Sequence, residues 1–350
     1  MQALLTPVLA RKPAALGLDL RFYGDVRNKN YTGDLQVFVD TLGQSGVPIV
    51  LAVKYTDGQL LQPLLKKVPA NIRYGSVTLI DRYYPESDNV VRRVRLFQGY
   101  AGDGQPVFSF ALQMLAAAEG LDPMAYLAKL STEGLPDAPD KYRLINYSNN
   151  YRYAYQKRLA RDGQQQPKFR AIRAKTLLQQ QNLPALQSLL AEQVHDSTIV
   201  LVGATFSTPG KPDDWFRTPL TPDARISGVV VHANILNWLL SRSFISEPSL
   251  ALKIFLTTGL ILISWAAFRF LIFWKAIVLM VVAYIMYILA GIVLFAAWEI
   301  WLPVIWPVRI AIYFVLLLAL LDATLPYWWK KKLRWLMPYS MLSYSSRRRR

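Results

Sequence analysis

Apolar positions along the chain fall into three kinds of run. The first kind is short: Ala14-Ala-Leu-Gly-Leu-Asp-Leu20, Val47-Pro-Ile-Val-Leu-Ala-Val53 and Thr198-Ile-Val-Leu-Val202. Runs this short, apolar on both faces, predict buried strands of a parallel or mixed sheet. Asn71 to Leu79 predicts a further strand, and Val91-Arg-Arg-Val-Arg-Leu96 alternates apolar and basic side chains like a half-exposed one. The second kind recurs at helical spacing. Val230, Val231, Ile235, Trp238 and Leu239 predict a helix, and Phe108, Leu112 and Leu115, at spacings of four and three, predict an amphipathic one over Pro106 to Ala118. Met1 to Leu9 reads as the end of a helix, and 34–43 as a short one. Gly24 to Gly33, Tyr83 to Val91 and Ser207 to Gly228 are polar and predict loops.

The third kind is long. Leu252 to Phe268, Ala276 to Trp298, and Ile310 to Leu321 extended back through Val304 and Ile305 are almost wholly apolar. A helix of about 20 apolar residues crosses about 30 Å of hydrocarbon. Three transmembrane helices are therefore expected, at about 250–268, 276–298 and 304–325. Arg269 and Lys275 lie between the first two with no acid, Glu299, Pro303 and Pro307 lie between the last two, and a lysine-arginine tail follows. The positive-inside bias then predicts a multi-pass membrane protein, with residues 1–248 extracytoplasmic and the basic tail 327–350 cytoplasmic. Trp298, Trp301, Trp306, Trp328 and Trp329 fall where an aromatic belt is expected. Arg309 and Asp322 sit near the two ends of the third span, about three and a half turns apart, too far to pair. The expected fold class is α/β, a mixed sheet with flanking helices over 1–248, followed by a three-helix transmembrane bundle over 249–326.

Composition narrows the chemistry. The chain has 350 residues, a net charge of +17, no cysteine and two histidines, His195 and His232. Disulfides, thiolate metal sites and cysteine nucleophiles are excluded, and no metal or cofactor is expected. Part of the positive charge belongs to Lys330, Lys331, Lys332, Arg334 and Arg347 to Arg350, where a tail near anionic lipid gains about 1 kcal/mol per basic residue. Tyr151, Arg152, Tyr153, Tyr155, Lys157, Arg158 and Arg161 interleave aromatic and basic side chains, as single-strand nucleic-acid surfaces do. No RRM, KH or OB signature accompanies them, so a solvated helix face is expected and no nucleic-acid partner. Gly43-Gln-Ser-Gly46 lacks the Gly-x-Ser-x-Gly frame, and Walker A, Gly-x-Gly-x-x-Gly and His-Glu-x-x-His are absent. The adjacent Asp213 and Asp214 cannot both face one pocket from an extended segment. A non-enzyme is expected.

Ile199-Val-Leu-Val-Gly-Ala-Thr205, then Asp213-Asp214, Thr218-Pro-Leu220 and Gly228-Val-Val-Val-His-Ala-Asn234 resemble the closing half of a CHASE2 domain. The Asp88-containing turn before Val91-Arg-Arg93 and the short strand ending in Asn146 are similar too, and the resemblance covers most of residues 1–325. It implies an extracytoplasmic sensory module of bacterial receptors, followed by three membrane helices and a cytoplasmic output domain. Such domains normally begin earlier, with a membrane helix and a first strand, so an N-terminally incomplete copy without its own output domain is expected. The expected function is a membrane-anchored sensor of a small-molecule or peptide ligand, or of an external condition, that signals through its membrane helices to a separate cytoplasmic partner. The alternatives are a structural or assembly subunit of a membrane complex, or a truncated remnant of a receptor. Receptors of this sort often act as homodimers, but no heptad or small-residue face argues for it here.

Candidate ligand-binding residues follow from strand ends and from the strand-loop-helix order after Thr198. Asp19, Asn146 and Thr205 end expected strands, Arg93 lies on the alternating one, Asp214 and Thr218 lie in the loop, and His232 and Asn234 open the helix. His232 has two readings: a buried side chain tying down the Asp214–Thr218 loop, or a ligand contact whose pKa near 6.5 lets it sense pH. His195 reads as a surface residue.

Overall fold

The computed structural model describes residues 2–20, 29–56, 59–61, 67–79, 91–135, 142–145, 184–203, 215–218, 221–242, 244–245, 248–271 and 273–298, with isolated positions between 65 and 320. They divide into two compact units, Met1–Phe244 and Ile245–Arg350.

The first unit is built on strands β1 (Ala15–Asp19), β2 (Ile49–Thr56), β4 (Ile72–Ser76) and β9 (Ile199–Gly203), which run parallel in the order β4-β2-β1-β9. A short β3 (Gln59–Leu61) folds back antiparallel on the end of β2, so the sheet is mixed, as the apolar runs predict. Side chains alternate across it. Leu16, Leu18, Ile49 and Leu51 point to one face and pack with Leu35, Val39 and Leu42 of α2 (Lys29–Gln44) and Leu5 of α1 (Gln2–Leu9). Ala15, Val50 and Ala52 point to the other face. There they meet α3 (Phe110–Ala118) and, past the short α4 (Pro123–Thr132) and α5 (Pro184–Gln193), α6 (Gly228–Ser241). Leu190 of α5 joins Leu4 and Val8 of α1 in a smaller cluster.

Two-stranded ribbons complete the unit: β5 (Arg93–Arg95) with β8 (Tyr142–Leu144), β6 (Phe97–Tyr100) with β7 (Pro106–Phe108), and β10 (Trp215–Thr218) with β11 (Thr221–Ser227). Val94 is buried between the half-exposed Arg93 and Arg95, as the alternating pattern predicts. Three expectations need correction. The helix expected over 106–118 starts only at Phe110, where the Ser109 hydroxyl caps it; Pro106 to Phe108 pair with β6 instead. Nor is that helix amphipathic, because the sheet covers one side and α4 and α6 cover others, burying every residue from Phe110 to Ala117. Most of the loop expected between Ser207 and Gly228 is the β10–β11 hairpin, and α2 begins at Lys29, inside the loop expected over 24–33.

Close approach of α3 to the sheet depends on Gly75, where a Cβ would lie 2.7 Å from the Cα of Phe110. Backbone cannot swing aside like a side-chain tip. Gly75→Ala is therefore expected to cost about 1–3 kcal/mol, read as a lower urea midpoint with an unchanged slope.

The second unit contains α7 (Leu250–Phe270), capped by Ser249, and α8 (Phe273–Trp298), packed together through Ala267, Phe268, Ala276 and Met280. Both are long and apolar enough to cross a membrane, by length and composition. Their large side chains point outward rather than into a core, with Phe255 72 % and Trp274 61 % exposed. The third expected span lies largely outside the described residues; its described positions, among them Arg309, Ile312, Leu316 and Leu320, are helical.

Candidate functional site at the carboxyl edge of the sheet

In an open α/β sheet, ligands bind outside the carboxyl ends of two neighbouring strands whose following helices go to opposite faces. Here those strands are β1 and β9. The helix after β1, α2, lies on the face of Leu16 and Leu18, whereas the helix after β9 and its hairpin, α6, lies on the face of Ala15. The last register pair between them is Asp19 with Gly203. By alternation Asp19 shares the face of Ala15 and Gly17, the face that α6 covers.

Gly203 lets α6 start at this edge, because a Cβ there would lie 2.6 Å from the Cβ of Val229. The first residue of α6, Gly228, is a neighbour of Asp19: a Cβ on Gly228 would come 3.7 Å from Asp19 Oδ2 and 3.3 Å from Cε2 of Phe216. A half-buried carboxylate thus stands beside the head of a helix, where backbone N–H groups and the helix dipole present partial positive charge. Ser227 precedes that helix with extended backbone, φ −71° and ψ 151°, the geometry of a cap. Its hydroxyl makes no capping hydrogen bond, is buried, and has no hydrogen-bond partner.

Further along α6, Asn234 is buried; its Nδ2 donates to the carbonyl of Val230 at 2.9 Å, and its Oδ1 has no hydrogen-bond partner. His232 is 2 % exposed, its ring packed edge-on against Phe110 at 5.3 Å between centroids, its Nδ1 also without a hydrogen-bond partner. Burial pushes its pKa down to about 3. This corrects the expectation of pH sensing between pH 5 and 8: the ring is neutral throughout that range, because the core gives its charge no solvation.

The sequence candidates are therefore scattered. Asp19 reaches the head of α6, and His232 and Asn234 lie deeper on that helix. Arg93 belongs to the β5–β8 ribbon, where it pairs in register with Leu144. Thr218 ends β10 opposite Thr221. Asn146, Thr205 and Asp214 lie outside the described residues. Ser227 escaped the sequence reading although a serine directly before a helix is the usual capping signal. Exposed His195 accords with a surface reading; its Nδ1 lies 2.8 Å from the Ser197 hydroxyl. Among the described residues no group of histidines and carboxylates is arranged to hold a metal.

The CHASE2 domain model matches residues 1–280, four-fifths of the chain. The chain belongs to the CHASE2 family. CHASE2 domains are extracytoplasmic sensory domains, and the match takes in the whole α/β unit, all of α7 and the start of α8. No curated protein and no solved structure matches the chain.

Proposed function

We propose that this CHASE2 protein is a non-enzymatic, membrane-anchored sensor. Its α/β unit faces away from the cytoplasm, binds a small ligand at the carboxyl edge of the sheet, and passes the event through the membrane helices to the cytoplasmic side. One observation carries the reading: the helix that opens beside Asp19 is also the last element before the first membrane-length helix. α6 ends at Ser241, only residues 242–249 intervene, and α7 follows. Whatever shifts the head of α6 acts on the segment that leads directly into the bilayer.

A ligand changes such a helix only if it binds two arrangements with different affinity. Near the α6 head, which lies beside Asp19, differential contact is available from Ser227 and the first-turn N–H groups. The tail 327–350 carries the basic residues that anionic lipid attracts, which keeps that end of the chain at the inner surface.

Sidedness tests the reading. In spheroplasts of cells expressing the full chain, added protease should remove the α/β unit and leave a C-terminal tag intact. Survival of the α/β unit with loss of the tag would refute an external sensor.

A further inference from the structure

Helix α6 is packed into the interior with its polar side chains incomplete. Ser227, His232, Asn234 and Trp238 are each 2 % exposed or less, yet Ser227 Oγ, His232 Nδ1, Asn234 Oδ1 and Trp238 Nε1 have no hydrogen-bond partner. The neighbouring helices add two more such atoms, Gln113 Oε1 of α3 and the Tyr126 hydroxyl of α4. Native interiors leave few polar atoms unpaired, because each one forfeits its hydration for nothing. These six sit on three helices that share one core, and they complement one another. Trp238 Nε1 only donates, Gln113 Oε1 and Asn234 Oδ1 only accept, the two hydroxyls do either, and His232 Nδ1 does one or the other according to tautomer. Gln113 follows Phe110 by three residues, so it shares the side of α3 on which His232 packs. Asn234 and Trp238 are one turn apart on one flank of α6.

Two things hold α6 in this arrangement. One is apolar burial, complete at Val231, Ile235 and Leu239. The other is a strained joint at its end. Arg242 has φ 54° and ψ 21°, a left-handed conformation that is unfavourable for a residue with a Cβ and is commonly given to glycine at a helix end. Its side chain is what a glycine would lack: Nη1 donates to the carbonyl of Leu239, and Nε donates to Oε2 of Glu133, at the end of α4, at 2.6 Å. The two side chains of this bridge are 29 % and 33 % exposed, so water reaches it and it can open. We propose that α6 has a second position against α3 and α4, in which these donors and acceptors pair with one another, and that the Arg242–Glu133 bridge is the latch holding it in the position described. Small sliding of packed helices is an established form of such a change, and two packings of one core are discrete rather than graded. For its use the latch rests on the sensor reading: a ligand that favours the second position moves the segment entering α7.

The latch is testable without a ligand. The chain has no cysteine, so spin labels placed through Val37→Cys on α2 and Leu240→Cys on α6, both exposed positions, report one distance across the sheet. The measurement is double electron–electron resonance on the full chain in lipid nanodiscs. Glu133→Gln and Arg242→Gly should both populate the same second distance, raising its ratio to the first at least about 5-fold. Glycine suits the left-handed position, so the Arg242 variant removes the bridge without adding backbone strain. Tyr126→Phe and Gln113→Met, which delete an orphaned atom and keep the volume, should lower that ratio and leave the urea midpoint unchanged or higher. An unfolded chain gives a broad distribution rather than a second narrow distance, so loss of folding cannot imitate the result. One unchanged distance in both bridge variants overturns the latch. A lower urea midpoint in both Tyr126→Phe and Gln113→Met also overturns it, because those atoms are then satisfied in the native state. Either failure leaves the sidedness result, and with it the sensor reading, untouched.

Discussion

Replacing Phe110 with alanine is expected to lower the stability of the α/β unit by about 3–5 kcal/mol, the range for deleting a buried aromatic ring. Phe110 is fully buried, and its ring reaches three elements at once. It packs against His232 of α6, and its Cζ would lie 2.8 Å from a Cβ on Gly17 of β1, while its backbone sits over Gly75 of β4. Neither glycine has a side chain to fill the hole, so relaxation around the cavity is limited. Urea unfolding of the full chain in detergent, followed by tryptophan fluorescence, measures the loss. Phe110→Leu, which keeps most of the volume, should lose much less. A loss below about 1 kcal/mol for the alanine variant would mean that α3 does not wedge the sheet against α6 as described.

The second large effect is a pH dependence. The imidazole of His232 has its pKa pushed from an ordinary value near 6.5 to about 3 by burial against the α3 face. Between those values the unfolded chain takes up a proton that the folded chain refuses. Stability attributable to this residue is complete above about pH 6.5 and falls as the pH drops toward 3. At about 1.4 kcal/mol per pH unit, the loss from pH 7 to pH 5 is about 2 kcal/mol. The measurement is the difference between the unfolding free energies at pH 7 and pH 5, compared with His232→Leu, in which that contribution should vanish. An unchanged pH slope in the leucine variant would place the acid sensitivity elsewhere and would mean that His232 is solvated in the native state.

The long-range arrangement of the sheet was legible where strands are buried on both sides. Ala14 to Leu20, Val47 to Val53 and Thr198 to Val202 announce themselves because neither face needs a polar residue. The β10–β11 hairpin was not legible, because Pro222 and Asp223 interrupt its second strand and much of its pairing is local. The start of α3 was displaced for a similar reason: Val107 and Phe108 fit the helical period, yet pairing with Phe97 to Tyr100 draws them into a strand. The α/β class and the family followed from residues alone. The candidate edge did not, because it depends on β9 returning beside β1 after most of the unit has passed, and no local pattern encodes that neighbour. Asp19 was identifiable as a strand end, but its closeness to Gly228 was not. Ser227 needed the geometry most of all, since its sequence context says only that it should cap, and the distinguishing fact is that it does not. His232 was read at the right place on its helix, but its burial comes from Phe110, far away in sequence.

Helix α6 is held at both ends. Its first turn bears on Gly203, and just past its last turn Arg242, with φ 54°, is held by Glu133, Nε to Oε2 at 2.6 Å, while Phe244 stacks edge-on with Trp238. A rod of 14 residues, about 21 Å long, pinned in this manner has little freedom to fray or bend. Such a rod is stiff enough that a shift imposed at one tip would reach the other as translation or rotation, once the contacts of Arg242 with Glu133 and of Phe244 with Trp238 give way, with no need to melt a turn.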